Sequence, residues 1–348
     1  MTALPNKYKH VYQLKSGRNA VVYKATNALT GREVFLKIYS VPKNDPLLAI
    51  REPHLLTALA HSNLVKIYSA DQNSIGGIIL EMELLRDGSV DDFLRHAIST
   101  GEWPSIHTSL SIIRDMAQGL NHLHSQGYVH RDIKPANVML RKRGPNYEGV
   151  ITDMGLVSKL DGKGHAQGSK HARLYRPPEV WLNKPYTIAS DLYQVGLTLY
   201  QLLGGQLNYK LSSLPDAELG QEVVKGSLID LDTLGIHASP ALVTLVRSLV
   251  REATMRLSHC NELLEELQLV IRNHHNWRLT SCAATMMACR TISKREIKIE
   301  IVSSTPKSHE ARLFERAVGG NWRRKGKPVR VKHPVARRCR KLRMLLDK

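Results

Sequence analysis

The polar segment His130-Arg131-Asp132-Ile133-Lys134-Pro135-Ala136-Asn137 decides how this sequence is interpreted, and Asp153-Met154-Gly155 follows it sixteen residues after Asn137. Upstream, apolar residues recur at three- and four-residue spacing over 106–126 and stop at Gly127, which predicts a helix that ends there. Downstream, short apolar runs at 138–140 and 150–152 flank a turn-rich segment and predict two short strands. The polar residues are therefore expected in the loops around a helix and a small hairpin.

The rest of the first 272 residues divides into a β-rich part and a helical part. Residues 21–24 and 33–39 are rich in β-branched and aromatic residues and predict a hairpin around Leu29-Thr30-Gly31. A helix over 45–60 and two further strands at 64–68 and 77–83 are expected to complete a small lobe. Helical spacing returns at 189–203, 240–250 and 261–272. The predicted fold class is α+β, with a β-rich N-lobe over about 8–83 and a helical C-lobe over about 84–272.

Several further motifs stand in a fixed order around the central segment. They are Val34-Phe35-Leu36-Lys37, Glu52 nine residues before His61-Ser62-Asn63, Ile79-Leu80-Glu81-Met82-Glu83, Arg176-Pro177-Pro178-Glu179, Ser190-Asp191-Leu192-Tyr193-Gln194-Val195-Gly196, and Arg256. The central segment matches the H-R-D-x-K-P-x-N catalytic loop of protein kinases, and Asp153-Met154-Gly155 stands in place of D-F-G. Over about residues 8–272 the chain resembles a eukaryotic-type protein kinase domain.

The resemblance implies a Mg-ATP-dependent kinase that transfers the γ-phosphoryl group to Ser or Thr hydroxyls of a protein substrate. Asp132 would be the catalytic base, and Lys134 would stabilise the transferring group and favour Ser/Thr acceptors. Asn137 and Asp153 would bind Mg²⁺. The implied ATP contacts are Lys37 paired with Glu52, Gly17 and Val22 of the phosphate loop, Met139 on the adenine face, and Glu81 and Glu83 of the hinge, with Leu80 as gatekeeper.

The departures from the family pattern support an alternative, a pseudokinase or weak nucleotide-binding scaffold. Only Gly17 remains of the glycines in the phosphate loop, and glycines let backbone N–H groups approach phosphates closely. Phe35 replaces the small alanine that packs on adenine, and a ring there would narrow the slot. Pro53 follows Glu52 directly and cannot donate a helical hydrogen bond. Ala172 replaces a threonine on the substrate side.

The segment after Asp153 contains candidate regulatory residues. Ser158 and Ser169 are its hydroxyls before Tyr175, and the resemblance makes Arg131 a binding group for a phosphorylated loop. Its glycines support the alternative, a loop that stays mobile without modification. The sequence does not distinguish a loop that is regulated by phosphorylation from one that stays mobile.

The formal net charge of +19 is concentrated at the C-terminus. Residues 273–348 hold 20 Lys+Arg and 5 Asp+Glu, which gives +15 and leaves +4 for residues 1–272. Between residues 321 and 343 there are 11 basic residues and no acidic ones. Such a block repels itself, so 273–348 is predicted to be a basic, disordered tail. It could bind an anionic partner, either nucleic acid, a membrane surface or an acidic protein, serve as a nuclear-import signal, or be an inert tail.

Composition excludes several other classes of protein. Four cysteines among 348 residues are too few and too widely spaced for a disulfide scaffold or a cysteine-rich zinc module. The first ten residues lack the apolar region of a secretory signal, and no stretch is predicted to span a membrane. An intracellular protein, cytoplasmic and potentially nuclear, is expected.

Overall fold

The computed structural model describes residues 4–16, 20–39, 59–73, 77–167, 172–234, 237–273, 276–282, 285–305 and 308–331. Its first part is a five-stranded antiparallel sheet in the order β1-β2-β3-β5-β4. The strands are β1 (Tyr8–Ser16), β2 (Ala20–Asn27), β3 (Arg32–Tyr39), β4 (Ile67–Gln72) and β5 (Ile78–Glu83).

The predicted hairpin is β2–β3, and Gly31 supplies the positive φ of 67° that its turn requires. Alternate residues of β3 pack inward, with Val34, Leu36 and Ile38 buried, as the period of two in a half-buried strand dictates. Strand β1 has no counterpart in the sequence prediction. The helix predicted over 45–60 lies outside the described residues except for its last two positions.

A helical lobe follows the sheet. Its helices are α1 (Val90–Thr100), α2 (Ile106–Ser125), α3 (Pro178–Trp181), α4 (Ile188–Leu202), α5 (Asp216–Lys225), α6 (Pro240–Val250) and α7 (Cys260–Asn273). Ser89 and Ser105 cap α1 and α2 through their hydroxyls. Helix α4 is buried along nearly its whole length. The β-rich lobe and the helical lobe confirm the α+β bilobal prediction.

Short strands lie between these helices. A two-stranded ribbon, β8 (Val138–Arg143) with β9 (Asn146–Ile151), confirms the predicted pair of strands. A second ribbon pairs β7 (Tyr128–Val129) with β10 (Ser158–Lys159). Among the described residues, no helix combines the length and apolar character needed to cross a bilayer.

The prediction of a disordered tail from residue 273 is wrong over 278–331, where the chain forms an antiparallel sheet. Its strands are β11 (Arg278–Cys282), β12 (Thr285–Ile292), β13 (Arg295–Thr305), β14 (Ser308–Ala317), β15 (Arg323–Arg324) and β16 (Val329–Val331). Strand β11 also pairs with β6 (Glu102–Ser105), so this sheet is continuous with the helical lobe.

The sheet forms because its apolar residues alternate. Ile299 and Ile301 are buried on one face, whereas Lys298 and Glu300 lie on the other, so high net charge coexists with an apolar face. Trp277 is buried beside this sheet, and its carbonyl accepts the backbone N–H of Ile106 at 2.9 Å. Residues 332–348, the rest of the predicted tail, lie outside the described residues.

Candidate active site

The loop after β7 owes its shape to a buried carboxylate. Asp191 of α4 accepts the backbone N–H groups of His130 and Arg131, both at 2.8 Å. These bonds hold Arg131 in a left-handed conformation with a φ of +71°. Non-glycine residues rarely adopt that conformation without compensating contacts. His124 and Tyr186 also donate to Asp191, at 2.8 and 2.6 Å. Burial alone would raise the pKa of Asp191, but these donors hold the pKa below its ordinary value, so it stays ionised.

His130 reinforces the same loop from inside the protein. Burial lowers its pKa, which keeps the imidazole neutral. A neutral ring can accept the backbone N–H of Asp132 on Nδ1, at 3.3 Å, while Nε2 donates to the carbonyl of Thr152, at 3.3 Å. The ring thereby links the segment that contains Asp132 to the segment that precedes Asp153.

Asp132 lies at the centre of a cluster of polar side chains. Its Oδ2 accepts Lys134 Nζ at 2.6 Å and Asn137 Nδ2 at 2.8 Å. Its Oδ1 is buried and has no hydrogen-bond partner among the described residues. A buried carboxylate oxygen without a partner is costly, and a catalytic role is one of the reasons a protein retains such a group. The structure thus brings the predicted residues Asp132, Lys134 and Asn137 together.

Asp153 lies across from this cluster with a φ of +61°. Lys37 Nζ of β3 donates to its Oδ1 at 2.9 Å, and about half of the Asp153 side chain remains exposed. Burial opposes ionisation, but the Lys37 charge and hydrogen bond bring the pKa of Asp153 below its ordinary value. Thr152 ties Asp153 to Asn137, because its N–H and hydroxyl both donate to the Asn137 carbonyl, at 2.9 and 3.1 Å.

These residues border a cleft between the two lobes. The described residues enclose about 280 Å³ there. The lining residues are Val22, Phe35, Lys37, Val65, Met82, Glu83, Leu85, Ala136, Asn137, Met139, Thr152 and Asp153. Val22, Lys37, Glu83 and Met139 were predicted to contact a nucleotide, and Phe35 takes part in the cleft wall as expected.

The hinge prediction needs correction by two residues. Glu81 does not line the cleft; its carboxylate accepts Tyr8 Oη at 2.8 Å and Asn27 Nδ2 at 3.0 and 3.2 Å inside the N-lobe. Leu80, predicted as gatekeeper, is likewise absent from the lining, where Met82 stands opposite Phe35 in the β3–β5 ladder. Side chains repeat faces every two residues along a strand, so Leu80 and Met82 share a face and the predicted positions move two residues along β5.

Leu85 is a cleft residue that the sequence prediction missed. The available signal was Gly88-Ser89, which ends the hinge and caps α1. Counting back from that cap would have placed the hinge over 82–85. Because Glu81 and Glu83 are both glutamates, the residue types alone did not distinguish a hinge that starts at Glu81 from one that starts two residues later. Gly17, Glu52 and Pro53 lie outside the described residues.

The segment after Asp153 is bound to Arg131. The Arg131 guanidinium donates to the carbonyls of Leu156, at 2.7 Å, and Gln167. Ser158 lies in β10, opposite Val129 of β7. Ser169 falls outside the described residues. Arg131 therefore contacts the segment on which it was expected to act, through backbone carbonyls.

Two further connections stabilise the C-lobe. Glu179 and Arg256 form a buried ion pair with hydrogen bonds of 2.8 and 3.1 Å. Burial raises the pKa of Glu179, but Arg256 more than offsets this, so its pKa lies below the ordinary value. Gln194, which the sequence prediction named only as part of a motif, accepts the N–H of Ile133 at 2.8 Å and donates to the Tyr175 carbonyl at 3.0 Å.

Comparison with known proteins agrees with this geometry. A family model described as the protein kinase domain matches residues 8–268. The chain belongs to the protein kinase family. The kinase family match ends before β11, so the C-terminal sheet lies beyond the matched residues.

Individual relatives are about a third identical to this chain over the residues that align. Human serine/threonine-protein kinase ULK1 is 31% identical over 241 residues, which cover 68% of this chain and 20% of the relative. Mycobacterium tuberculosis serine/threonine-protein kinase PknJ is 31% identical over 206 residues, covering 57% and 34%. Mouse inhibitor of nuclear factor kappa-B kinase subunit epsilon is 31% identical over 211 residues, covering 56% and 29%. The aligned part thus spans only about a fifth to a third of these relatives.

Proposed function

We propose that this protein is a Mg-ATP-dependent protein kinase that phosphorylates Ser or Thr hydroxyls. One observation carries the proposal: Asp132 has one oxygen fixed by Lys134 and Asn137 and the other buried without a partner among the described residues. The first contacts fix the orientation of the carboxylate. The Asp132 side chain remains 9% exposed, and its carboxylate is the acceptor that a substrate hydroxyl would reach.

The reaction moves one proton and one phosphoryl group. The Asp132 carboxylate accepts the hydroxyl proton while the hydroxyl oxygen forms a bond to the γ-phosphorus of ATP, and the bond from that phosphorus to the ADP oxygen breaks. Lys134, which is hydrogen-bonded to Asp132, would offset charge on the transferring group. Lys37 would contact the α- and β-phosphates from the opposite side of the cleft.

The donor chemistry of the cleft fits Mg²⁺. Asp153 keeps a half-exposed carboxylate at the cleft, and Asn137 lines it with the nitrogen of its amide turned to Asp132. Hard oxygen ligands of this kind, together with phosphates and waters, are what Mg²⁺ prefers. When bound, the metal would neutralise phosphate charge. Asn137 and Asp153 would hold it, and Thr152 keeps the two residues together.

Transfer of labelled γ-phosphate to a generic basic protein tests the proposal. Asp132→Asn should lower the rate roughly 10²–10⁴-fold, because a neutral amide cannot accept the proton. Asp153→Asn should also lose activity. Asp91→Asn, a carboxylate on α1 paired with Arg95, is the matched control and should retain the wild-type rate. Equal transfer by wild type, Asp132→Asn and Asp153→Asn would disprove the proposal.

Phe35 favours a second candidate function, a nucleotide-poor scaffold. Its ring lines a cleft of about 280 Å³, just below the roughly 300–1,000 Å³ of typical ligand pockets. Mg-ATP at 100 times its Kd should stabilise a binding-competent protein by about 2.7 kcal/mol. If the protein is a scaffold, Mg-ATP should not raise the melting temperature of the wild type but should raise that of Phe35→Ala. A kinase would shift as wild type, and Asp153→Asn should reduce that shift.

The β15–β16 region supports an anionic partner for the basic C-terminus. It presents five exposed cations on an ordered sheet, namely Arg323, Arg324, Lys325, Lys327 and Arg330. The nearby Glu315 pairs with Lys325 and Arg295 and offsets little of this charge. Association driven by charge alone should weaken steeply with salt.

Heparin and DNA retention of full-length variants tests this surface. Changing Arg323, Arg324, Lys327 and Arg330 to Gln should lower the salt concentration needed for elution. The control changes four exposed lysines of the kinase domain to Gln, namely Lys9, Lys142, Lys163 and Lys184. Equal elution of the two variants would contradict a localised binding surface.

A further inference from the structure

A groove of about 560 Å³ lies between α3 and α5, away from the nucleotide cleft. Its walls include Arg176, Trp181, Leu182 and Val224. Leu182 and Val224 are 52% and 41% exposed, which is high for large apolar side chains. The groove therefore combines an apolar floor with a guanidinium at one end.

The groove is tied to the catalytic loop by one side chain. Gln194 accepts the N–H of Ile133, next to Asp132, and donates to the carbonyl of Tyr175, next to Arg176. A single buried amide thus spans from the residue after the proposed base to the residue before the groove arginine. The segment that contains the proposed base and the segment that contains the groove arginine are therefore held by the same side chain.

Arg176 is only partly neutralised. Its Nη1 lies 3.7 Å from Asp216 Oδ2, while Asp216 Oδ1 already accepts Arg173 Nε at 2.8 Å. Two guanidinium groups therefore share one carboxylate. The Nε of Arg176 is buried and has no hydrogen-bond partner in the part of the chain that the structure describes. Its charge rests instead on the ring of Trp181, 4.0 Å away.

Other contacts leave this positive charge in place. Lys225, also in the wall, pairs with Glu222 at 2.8 Å, and Arg173 donates to the carbonyls of Ser212 and Leu214. Among the described residues, the Arg176 guanidinium donates to no backbone carbonyl, and its carboxylate contact is the 3.7 Å approach to Asp216, which also lines the groove. Its planar guanidinium matches a carboxylate in a bidentate contact.

We propose that this groove selects acceptor proteins with an acidic side chain near the phosphorylated Ser or Thr, which pairs with Arg176, and an apolar side chain that covers Leu182 and Val224. This inference rests on the proposed kinase function. Arg176 is thereby a specificity-determining residue that acts on the acceptor and leaves ATP binding unaffected.

Matched acceptor peptides with the full chain provide the test. A Ser peptide carries Glu, Gln or Lys at each flanking position in turn, and kcat/KM is compared. At the best position, the kcat/KM of wild type should be about tenfold higher for the Glu peptide than for the Gln peptide. This factor lies between the effect of an exposed ion pair and the effect of a hydrogen bond to a charged group. Arg176→Gln should abolish the preference, and Arg176→Glu should turn it toward the Lys peptide. Arg247→Gln, an exposed arginine of α6, should keep it.

The readouts separate this inference from the proposed function. The Glu-to-Gln ratio does not depend on total activity, so reduced folding of a variant does not mimic the result. Transfer without an acidic preference at any flanking position overturns the groove assignment while the kinase proposal stands. Absent transfer, but Glu-selective binding of labelled peptide that Arg176→Gln removes, supports the groove and refutes the kinase proposal. Equal affinities for all peptides overturn the groove assignment.

Discussion

Gln194→Met should separate the stability of the C-lobe from the alignment of its two functional loops. Gln194 is fully buried in α4, and its amide bonds the N–H of Ile133 and the carbonyl of Tyr175. Methionine has a similar length and packs adaptably, so the change leaves little cavity. What it removes is the hydrogen bonding between the loop that contains Ile133 and the segment that leads to Arg176, together with a contact to the Tyr186 hydroxyl, which keeps its bond to Asp191.

The contacts set the size of the effect. An unpaired buried polar group costs about 1–3 kcal/mol. The Ile133 N–H is deeply buried, whereas the Tyr175 residue is only half-buried. The two together should cost about 2–4 kcal/mol. Misplacement of a reactive group by about 1 Å can lower a rate 10²-fold, so kcat toward peptide should fall roughly 10–100-fold.

Urea unfolding and steady-state kinetics measure these two effects. The affinity for Mg-ATP, which we propose binds in the cleft between the lobes, should change little, because Gln194 does not line that cleft. Thr198→Val is the matched control: Thr198 is equally buried in α4, but its hydroxyl donates only to the Gln194 carbonyl of its own helix, at 3.0 Å. It should cost less than about 1 kcal/mol. Unchanged stability and kcat in Gln194→Met would refute the bridge.

Three other changes test the packing of the protein. Arg256→Ala should lower the free energy of unfolding by about 3–5 kcal/mol, because it leaves Glu179 charged and buried. In the folded protein the pKa values of Glu179 and Asp191 are below ordinary, so the stability that their ionised forms provide is present above about pH 4. That stability is lost as the pH falls through the pKa values of the folded state. Glu179→Gln should therefore reduce the fall in the denaturation midpoint between about pH 5 and pH 3. Trp277→Ala should lower the free energy of unfolding in urea by about 3–5 kcal/mol, because Trp277 is buried. Trp322→Ala is the control and should cost clearly less, because Trp322 is only half-buried. Equal costs for the two variants would contradict packing of Trp277 between the C-terminal sheet and the helical lobe.

Local patterns predicted much of the fold. The β2–β3 hairpin follows from its β-branched and aromatic residues around a turn, and helices α2 and α6 follow from three- and four-residue apolar spacing. The prediction of a disordered C-terminus was wrong because it used the net charge of the whole segment. Charged and apolar residues alternate there between the two faces of a sheet, so one face is apolar despite the net charge. The predicted hinge was also misplaced, because two glutamates two residues apart fit the same pattern and only burial distinguishes their positions.

The sequence by itself determined the family resemblance and the chemical types at the site, since Asp132, Lys134, Asn137 and Asp153 stand at motif spacing. Tertiary structure decided which atoms meet. Only the folded chain leaves one oxygen of Asp132 buried without a partner among the described residues and pairs Lys37 with Asp153 across 116 positions of sequence. It also makes Arg176 and Arg173 share one carboxylate. Burial and ion pairing depend on neighbours distant in sequence, so residue order alone does not specify them.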